Sequence, residues 1–398
     1  MIEIQQQFEM RFAYPVLFTR DAFTSGDEAL RSVFARAGAG PHRVLPVVDE
    51  GLLAADPGLP ERLQIFAERH PGLVDWVSPP VAVRGGEACK QDGRDVQRIH
   101  ERIERHRICR QSFVLAVGGG AVLDAVGFAA STAHRGVRLV RMPSTVLAQN
   151  DAGIGVKNAV NAFGRKNFVG AFAPPFAVVN DAALLDTLDP RDRRAGIAEA
   201  VKVALIKDAA FFEALFAERQ RLARFETEAM ERMIVRCAEL HLEHIRTSGD
   251  PFELGSARPL DFGHWSAHRL EEIVEGDLRH GEAVAVGIAL DVLYSHAVGR
   301  LDEIAAHRIL VLLEDLGFDL ARPALRWLDV EAALESFREH LGGPLCITLL
   351  DGVGRGVEVR GIDVGTMRTC IDALLRRRAG EEERGHAGPL SDVRQGRP

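Results

Sequence analysis

The sequence predicts an α/β N-terminal domain built on a largely parallel sheet, followed by a mostly α-helical C-terminal domain. In the first half, short β-branched runs at 43–48, 113–117, 138–142 and 177–180 alternate with helical patterns, the order that builds parallel sheets through helical crossovers. Beyond about residue 181 strand signals nearly vanish, and long helical patterns follow at 195–217, 226–246, 280–299 and 303–316. The run at 113–117 leads directly into Gly118, Gly119 and Gly120 and then another helical pattern. The predicted division is 1–180 and 181–375, with 376–398, charged and rich in Gly and Pro, as a disordered tail.

A chain of 398 residues can bury two cores. Its apolar share of 46% and charged share of 27% are those of an ordinary globular protein. A net charge of −8 offers no field for nucleic acid or an anionic membrane, so an anionic ligand needs a local basic pocket. Cys89, Cys109, Cys237, Cys346 and Cys370 show no CxxC spacing, which fits neither a disulfide scaffold nor a zinc ribbon and points to the reducing cytoplasm. The start, MIEIQQQFEMRF, lacks the basic and apolar regions of a signal peptide. The most apolar stretch, 283–290, is cut by Asp291. It is far shorter than the roughly 20 residues of a membrane span and reads as a buried helix.

Taken in chain order, the first chemical signal is Asp49 at the end of an early strand. A carboxylate there can accept hydrogen bonds from a ribose, or simply cap a turn. Residues 92–106 are highly charged and read as an exposed helix. Gly118, Gly119 and Gly120 let backbone approach a pyrophosphate while the next helix offers free N–H groups. The pattern runs GGGxxxD to Asp124 rather than GxGxxG, and by itself reads equally as a tight turn. Residues 141–175 carry Asp151, Lys157, Asn161, Lys166 and Asn167 among small residues, with Phe163, Phe168, Val169 and Phe172 as anchors. That mixture makes a poor core and a good pocket wall, suited to phosphate.

Glu199 and Lys202 lie one helical turn apart within GIAEAVKVALI; alone, they read as an ion pair at the core edge. Asp261, His264 and His268 follow at helical spacing in LDFGHWSAH, then His280 and Glu282 in LRHGEAV. A carboxylate with imidazoles makes an open site for zinc or a similar ion. HExxH is missing, which argues against a zincin protease.

GGEACK (85–90), GGGAVLDAVGFAA, HRGVRLVRMPSTVLAQNDAGIGVKNAVN, RKNFVGAF, AGIAEAVKVALIKD, LDFGH and HGEAVAVGIAL occur in this order. With them the chain, over 44–299, resembles the 3-dehydroquinate synthase superfamily of sugar-phosphate cyclases. The resemblance implies an N-terminal NAD-binding domain, a helical C-terminal domain, an active site in the cleft between them, and a carbon–oxygen lyase that releases phosphate. It places Glu199, His264 and His280 on the metal, zinc or cobalt. Asp49, Glu87, Lys90, Gly118, Gly119, Gly120, Asp124, Ser144 and Thr145 fall on cofactor contacts. Asp151, Lys157, Lys166, Asn167, Lys202 and His268 fall on substrate positions, and Arg135 matches an arginine that reaches into a partner subunit of a homodimer.

The departures fall on substrate positions. His241 stands where the synthase has lysine, Asp261 where it has asparagine, and Ala257 where it has arginine, with Arg258 one residue out of register. The late lysine pair is replaced by REHLGG at 338–343. In the synthase that lysine and arginine help grip the substrate carboxylate, so their loss weakens the case for 3-deoxy-arabino-heptulosonate 7-phosphate, while Asp261 and the altered arginine resemble sedoheptulose 7-phosphate cyclases. The alternatives are a true 3-dehydroquinate synthase, a metal-dependent alcohol dehydrogenase of the glycerol-dehydrogenase type, and a non-catalytic sugar-phosphate-binding protein.

Overall fold

The computed structural model describes residues 1–247, 259–274, 277–341 and 344–384. The chain divides into two compact units: unit one takes 1–144 and 153–187, unit two 145–152 and everything from 188 onward.

The strands of unit one are β1 (Val16–Thr19), β2 (His42–Asp49), β3 (Val74–Trp76), β4 (Val81–Val83), β5 (Phe113–Gly118), β6 (Arg138–Pro143), β7 (Lys157–Ala162), β8 (Arg165–Phe172) and β9 (Ala177–Asp181). All but β7 and β8 join one sheet in the order β1-β9-β6-β5-β2-β3, with β4 also on β2, and every pairing is parallel. β5 and β9 are buried along their whole length. Strands covered on both faces favour continuous apolar runs, the signal carried by FVLAVG in β5 and by Ala177–Val179 in β9. Aromatic rings fill the core: Phe34 meets Phe113 edge-on at 5.3 Å and Trp76 at 6.1 Å. The charged helix Arg94–Arg105 still buries Val96, Ile99 and Ile103 on one face.

The chain builds from β2 toward β3, then from β5 toward β6 and β9, so strand order reverses between β2 and β5. Doubly wound sheets take ligands beyond the carboxyl ends at such a point. Asp49 and Gly118 end these two strands. A Cβ at Gly118 would stand 2.6 Å from Val122 Cγ1, so only glycine allows this tight entry into the helix Gly120–Thr132.

β7 and β8 form an antiparallel hairpin inside the segment expected to make a pocket wall. Its two-residue turn has positive φ at Phe163 (54°) and Gly164 (+73°), the form usually announced by Asn-Gly. With Phe in the first place that signal was absent.

Unit two is mostly helical. The pattern at 195–217 is two helices, Pro190–Lys207 and Ala209–Ala223. The chain turns at Asp208 (φ −152°), whose carboxylate accepts from Ala210 N and Phe211 N and caps the second helix. An antiparallel hairpin, β10 (Ile347–Leu350) with β11 (Gly356–Val359), interrupts the helices where no strand is expected. The helix His280–Ala297 is buried from Gly281 to His296, as its unbroken apolar run predicts. The last helix, Val364–Arg384, continues through 376–384, the first part of the predicted tail. RRRAGEEER is charged, but Arg, Ala and Glu are strong helix formers. Among the described residues no helix is long and apolar enough to cross a membrane.

Candidate active site

In unit two the helix Pro190–Lys207 starts with Asp189 accepting from Arg191 N (2.8 Å) and Pro190 at its first position. Its residues from Ala195 to Ile206 are buried, so Glu199 (0% exposed) and Lys202 (3%) lie inside the protein. Buried charges need partners. Lys202 Nζ contacts Glu199 Oε2 and lies 3.9 Å from Asp151 Oδ2. Asp151 Oδ1 in turn lies 3.1 Å from His241 Nδ1. Asp151 belongs to a π-helical turn, Ala148–Ala152, which Asn150 ties to the helix by donating to Gly196 O at 2.9 Å.

The histidines come from two further helices. Gly263 (φ 79°) opens His264–Ile273, and Asp291 accepts from Gly263 N at 2.9 Å and from Trp265 Nε1 at 2.8 Å, holding that helix start in place. Asp261 lies in the short 3-10 turn Pro259–Asp261 before Gly263, so it does not share the helix face of His264 and His268 as its spacing suggested. Two glycines allow the helices to touch. A Cβ at Gly287 would stand 1.9 Å from Gly263 O, and one at Gly281 would stand 1.9 Å from Ala195 O.

Ligand atoms of Glu199, His264 and His280 consequently lie within 4.8 Å of one another. Both imidazole Nε2 atoms are 3.6 Å from Glu199 Oε1, a buried atom with no hydrogen-bond partner. Donors about 2.0–2.2 Å from a tetrahedral zinc sit roughly 3.4 Å apart, so three groups that converge without hydrogen-bonding one another fit such an ion.

Nearby charges act differently on each member of the cluster. Burial disfavours the Lys202 ammonium, but Glu199, Asp151 and Asp261 raise its pKa and keep it charged. Burial likewise opposes ionisation of Glu199, and Lys202 beside it holds the carboxyl below its usual range. Burial and Lys202 push His264 well down, leaving the neutral ring a metal requires. For His280 burial acts downward too, but Glu199 and Glu271 hold it up to about 10. His268 completes the group, 5.6 Å from His264 and 6.1 Å from His280 between ring centroids. Glu282 is not part of it. Arg191 holds both its oxygens at 2.6 and 2.7 Å, and it accepts from Arg279 N at 3.0 Å, capping its own helix.

In unit one, Lys90 (2% exposed) donates to Asp124 Oδ2 at 3.0 Å and to Asn167 Oδ1. Asn161 links this group onward, donating to Glu87 Oε2 at 2.9 Å and accepting from Asn167 N at 2.8 Å. Asp49 accepts from Gly51 N at 2.8 Å; burial raises its pKa against that bond. Ser144 N donates to Gly118 O at 2.9 Å, seating it beside the glycine turn. Thr145, the first residue of unit two's short segment, accepts from Ala148 N at 3.1 Å. Lys157 and Lys166 are exposed on the hairpin. Arg135 is exposed too, and follows His134 in left-handed backbone at φ 62° and 53°. Ala257, Arg258 and residues 342–343 of REHLGG lie outside the described residues.

Two residues in these contacts, Asp291 and Glu271, are not among the candidates that the sequence offers. In the sequence Asp291 shows only as a break in an apolar run, and Glu271 only by its place one turn after His268.

Residues 80–195 match the family described as 3-dehydroquinate synthase N-terminal, and residues 196–340 the one described as 3-dehydroquinate synthase C-terminal. The chain belongs to the 3-dehydroquinate synthase superfamily. It is an enzyme of that superfamily, and its relatives there divide by product. It is 36% identical over 286 residues to 2-epi-5-epi-valiolone synthase of Streptomyces glaucescens, covering 71% of this chain and 73% of that one. It is also 36% identical over 312 residues to 3-dehydroquinate synthase of Cereibacter sphaeroides, covering 76% and 82%. Among solved structures, 2-epi-5-epi-valiolone synthase from Streptomyces hygroscopicus subsp. jinggangensis, with NAD+ and Zn2+ bound, is 27% identical with a TM-score of 0.83 over 94% of this chain and 100% of that one.

Proposed function

We propose that this superfamily member is an NAD- and metal-dependent cyclase that converts a heptulose 7-phosphate to a carbocycle with loss of phosphate, and that it prefers sedoheptulose 7-phosphate. The observation that carries the preference is the contact of His241 Nδ1 with Asp151 Oδ1 at 3.1 Å. The synthases, by resemblance, have lysine at this position to grip a substrate carboxylate. A histidine engaged by an aspartate offers that carboxylate little net positive charge, and Asp261 adds a repelling one.

The proposed ion, zinc or cobalt, is held by Glu199, His264 and His280. NAD is held by Asp49, Glu87, Lys90, the glycines Gly118, Gly119 and Gly120, Asp124, Ser144 and Thr145. When bound, these groups supply a transient oxidation of a secondary alcohol and a Lewis acid for its oxygen. The side chains do the rest. Lys202, held charged, steadies negative charge on a substrate oxygen, while Asp151 and His268 accept and return protons. Lys157, Lys166, Asn167 and, from a partner subunit of a homodimer, Arg135 grip the phosphate. Two consecutive non-glycine residues in left-handed backbone, His134 and Arg135, support a functional reading of that turn.

The test is a competition in one tube between sedoheptulose 7-phosphate and 3-deoxy-arabino-heptulosonate 7-phosphate, with NAD and zinc, followed by phosphate release and product mass. Preferential formation of a valiolone-type cyclitol is expected. Preferential formation of dehydroquinate overturns the preference.

A further inference from the structure

Glu271 lies on the helix His264–Ile273, one turn beyond His268. Its Oε2 is 3.2 Å from His280 Nδ1, while Nε2 of the same ring is 3.6 Å from Glu199 Oε1. Building on the metal assignment above, we propose that Glu271 is a positioning residue for His280. Its carboxylate accepts the Nδ1–H bond, fixes the ring's tautomer and swing, and aims the Nε2 lone pair at the ion.

A neutral imidazole carries one proton on two nitrogens, and a ligand must keep that proton off the nitrogen that binds. His264 meets this requirement through the backbone. Its Nδ1 is 3.1 Å from Phe262 O, which can only accept, and its Nε2 faces Glu199. His280 has the same arrangement, Nδ1 to an oxygen and Nε2 toward Glu199, but with a carboxylate in place of the carbonyl.

The difference follows from position. His280 is the first residue of its helix and its side chain is 32% exposed, against 11% for His264 and 0% for Glu199. Packing encloses it least of the three ligands, so it depends most on a directed bond. A carboxylate binds an N–H more strongly than a carbonyl and draws its proton, which makes the opposite nitrogen a better donor.

The same atoms suggest a competing role. Donors of His268, Glu271 and His280 also lie within 4.8 Å of one another and could enclose a second ion. The 3.2 Å separation of Glu271 from His280 is already that of a direct hydrogen bond.

The experiment compares the full-length parent with Glu271→Gln, Glu271→Asp and His280→Ala. Zinc stoichiometry comes from elemental analysis, zinc affinity from competition with a chromophoric chelator, and the His280 tautomer from 15N-histidine NMR of the zinc-loaded protein. We expect one zinc per chain in the parent, affinity weakened about 10–100-fold in Glu271→Gln, and partial recovery in Glu271→Asp. The Nδ1–H form should be the single species in the parent and lose that exclusivity in Glu271→Gln. Parent-like affinity and tautomer in Glu271→Gln, beside a His280→Ala variant that has lost zinc, makes Glu271 a bystander and overturns the proposal. Two ions in the parent and one in Glu271→Gln overturn it in favour of a ligand role. Full zinc affinity in His280→Ala refutes the metal assignment itself, a result distinguishable from both.

Discussion

Glu199 Oε1 is a buried carboxylate oxygen without a hydrogen bond, an arrangement that costs stability unless something binds there. His264→Ala removes one of the two imidazoles facing it. Zinc content by elemental analysis should fall to near zero, and phosphate release should fall by at least about 100-fold given the several kcal/mol a metal supplies. Asp291 makes a separate prediction from pH. Burial raises its pKa from 3.8 to about 7, against two accepted hydrogen bonds. Between those values the folded protein keeps a proton that the unfolded chain has released. The stability from this group is therefore full below about pH 4 and is lost as pH rises through 7. Melting curves in chelator should show a midpoint lower at pH 8 than at pH 5, and a flatter dependence in Asp291→Asn. That variant, losing one acceptor, should be about 1–3 kcal/mol less stable at pH 5; equal slopes for the two proteins would refute the assignment.

At the scale of elements, the site depends on how closely helices approach. Gly281→Val forces a side chain into Ala195 O, parting the two helices that carry His280 and Glu199. Overpacking costs about 1–3 kcal/mol, and zinc affinity should drop with it although no ligand is changed. Gly119→Val should do the reverse, weakening NAD in calorimetry by at least about tenfold while zinc binding stays intact, because its side chain crowds the proposed pyrophosphate path. Helices and central strands were legible because each repeats one rule along its length, as FVLAVG does in β5 and the buried run after His280 does in its helix. The hairpin of β7 and β8 was not, because Phe163 hides its turn and β8 is largely exposed. The proposed metal ligands Glu199, His264 and His280 showed as residue types in a motif. The contact of Asp151 with His241 and the hold of Glu271 on His280 did not, since each joins side chains from separate segments at a distance no spacing encodes.

For the whole molecule, the proposed cycle returns NAD to its starting state, which separates a cyclase from a dehydrogenase of similar fold. With sedoheptulose 7-phosphate and substoichiometric NAD, phosphate should be released over many turnovers while absorbance shows no accumulating NADH. Steady growth of NADH with a simple polyol would favour the dehydrogenase. If Arg135 acts across a homodimer, Arg135→Ala should raise KM for the phosphorylated substrate about tenfold or more, the loss of one charge-assisted hydrogen bond. Mixing it with a Lys202→Ala chain should restore part of the activity, because a mixed dimer contains one site with both residues intact.

The path of the chain carries a consequence for how such an enzyme can be rearranged. It leaves unit one after Ser144, contributes eight residues (145–152) to unit two, returns at Gly153, and departs again after Thr187. A chimera joined at Thr187, the obvious seam, would graft a foreign Asp151 and Asn150 against this chain's Lys202, His241 and Gly196. One short loan of sequence thus stitches the proposed specificity to the fold, and an exchange of halves between relatives is expected to keep the donor's preference only when 145–152 travels with the helical part.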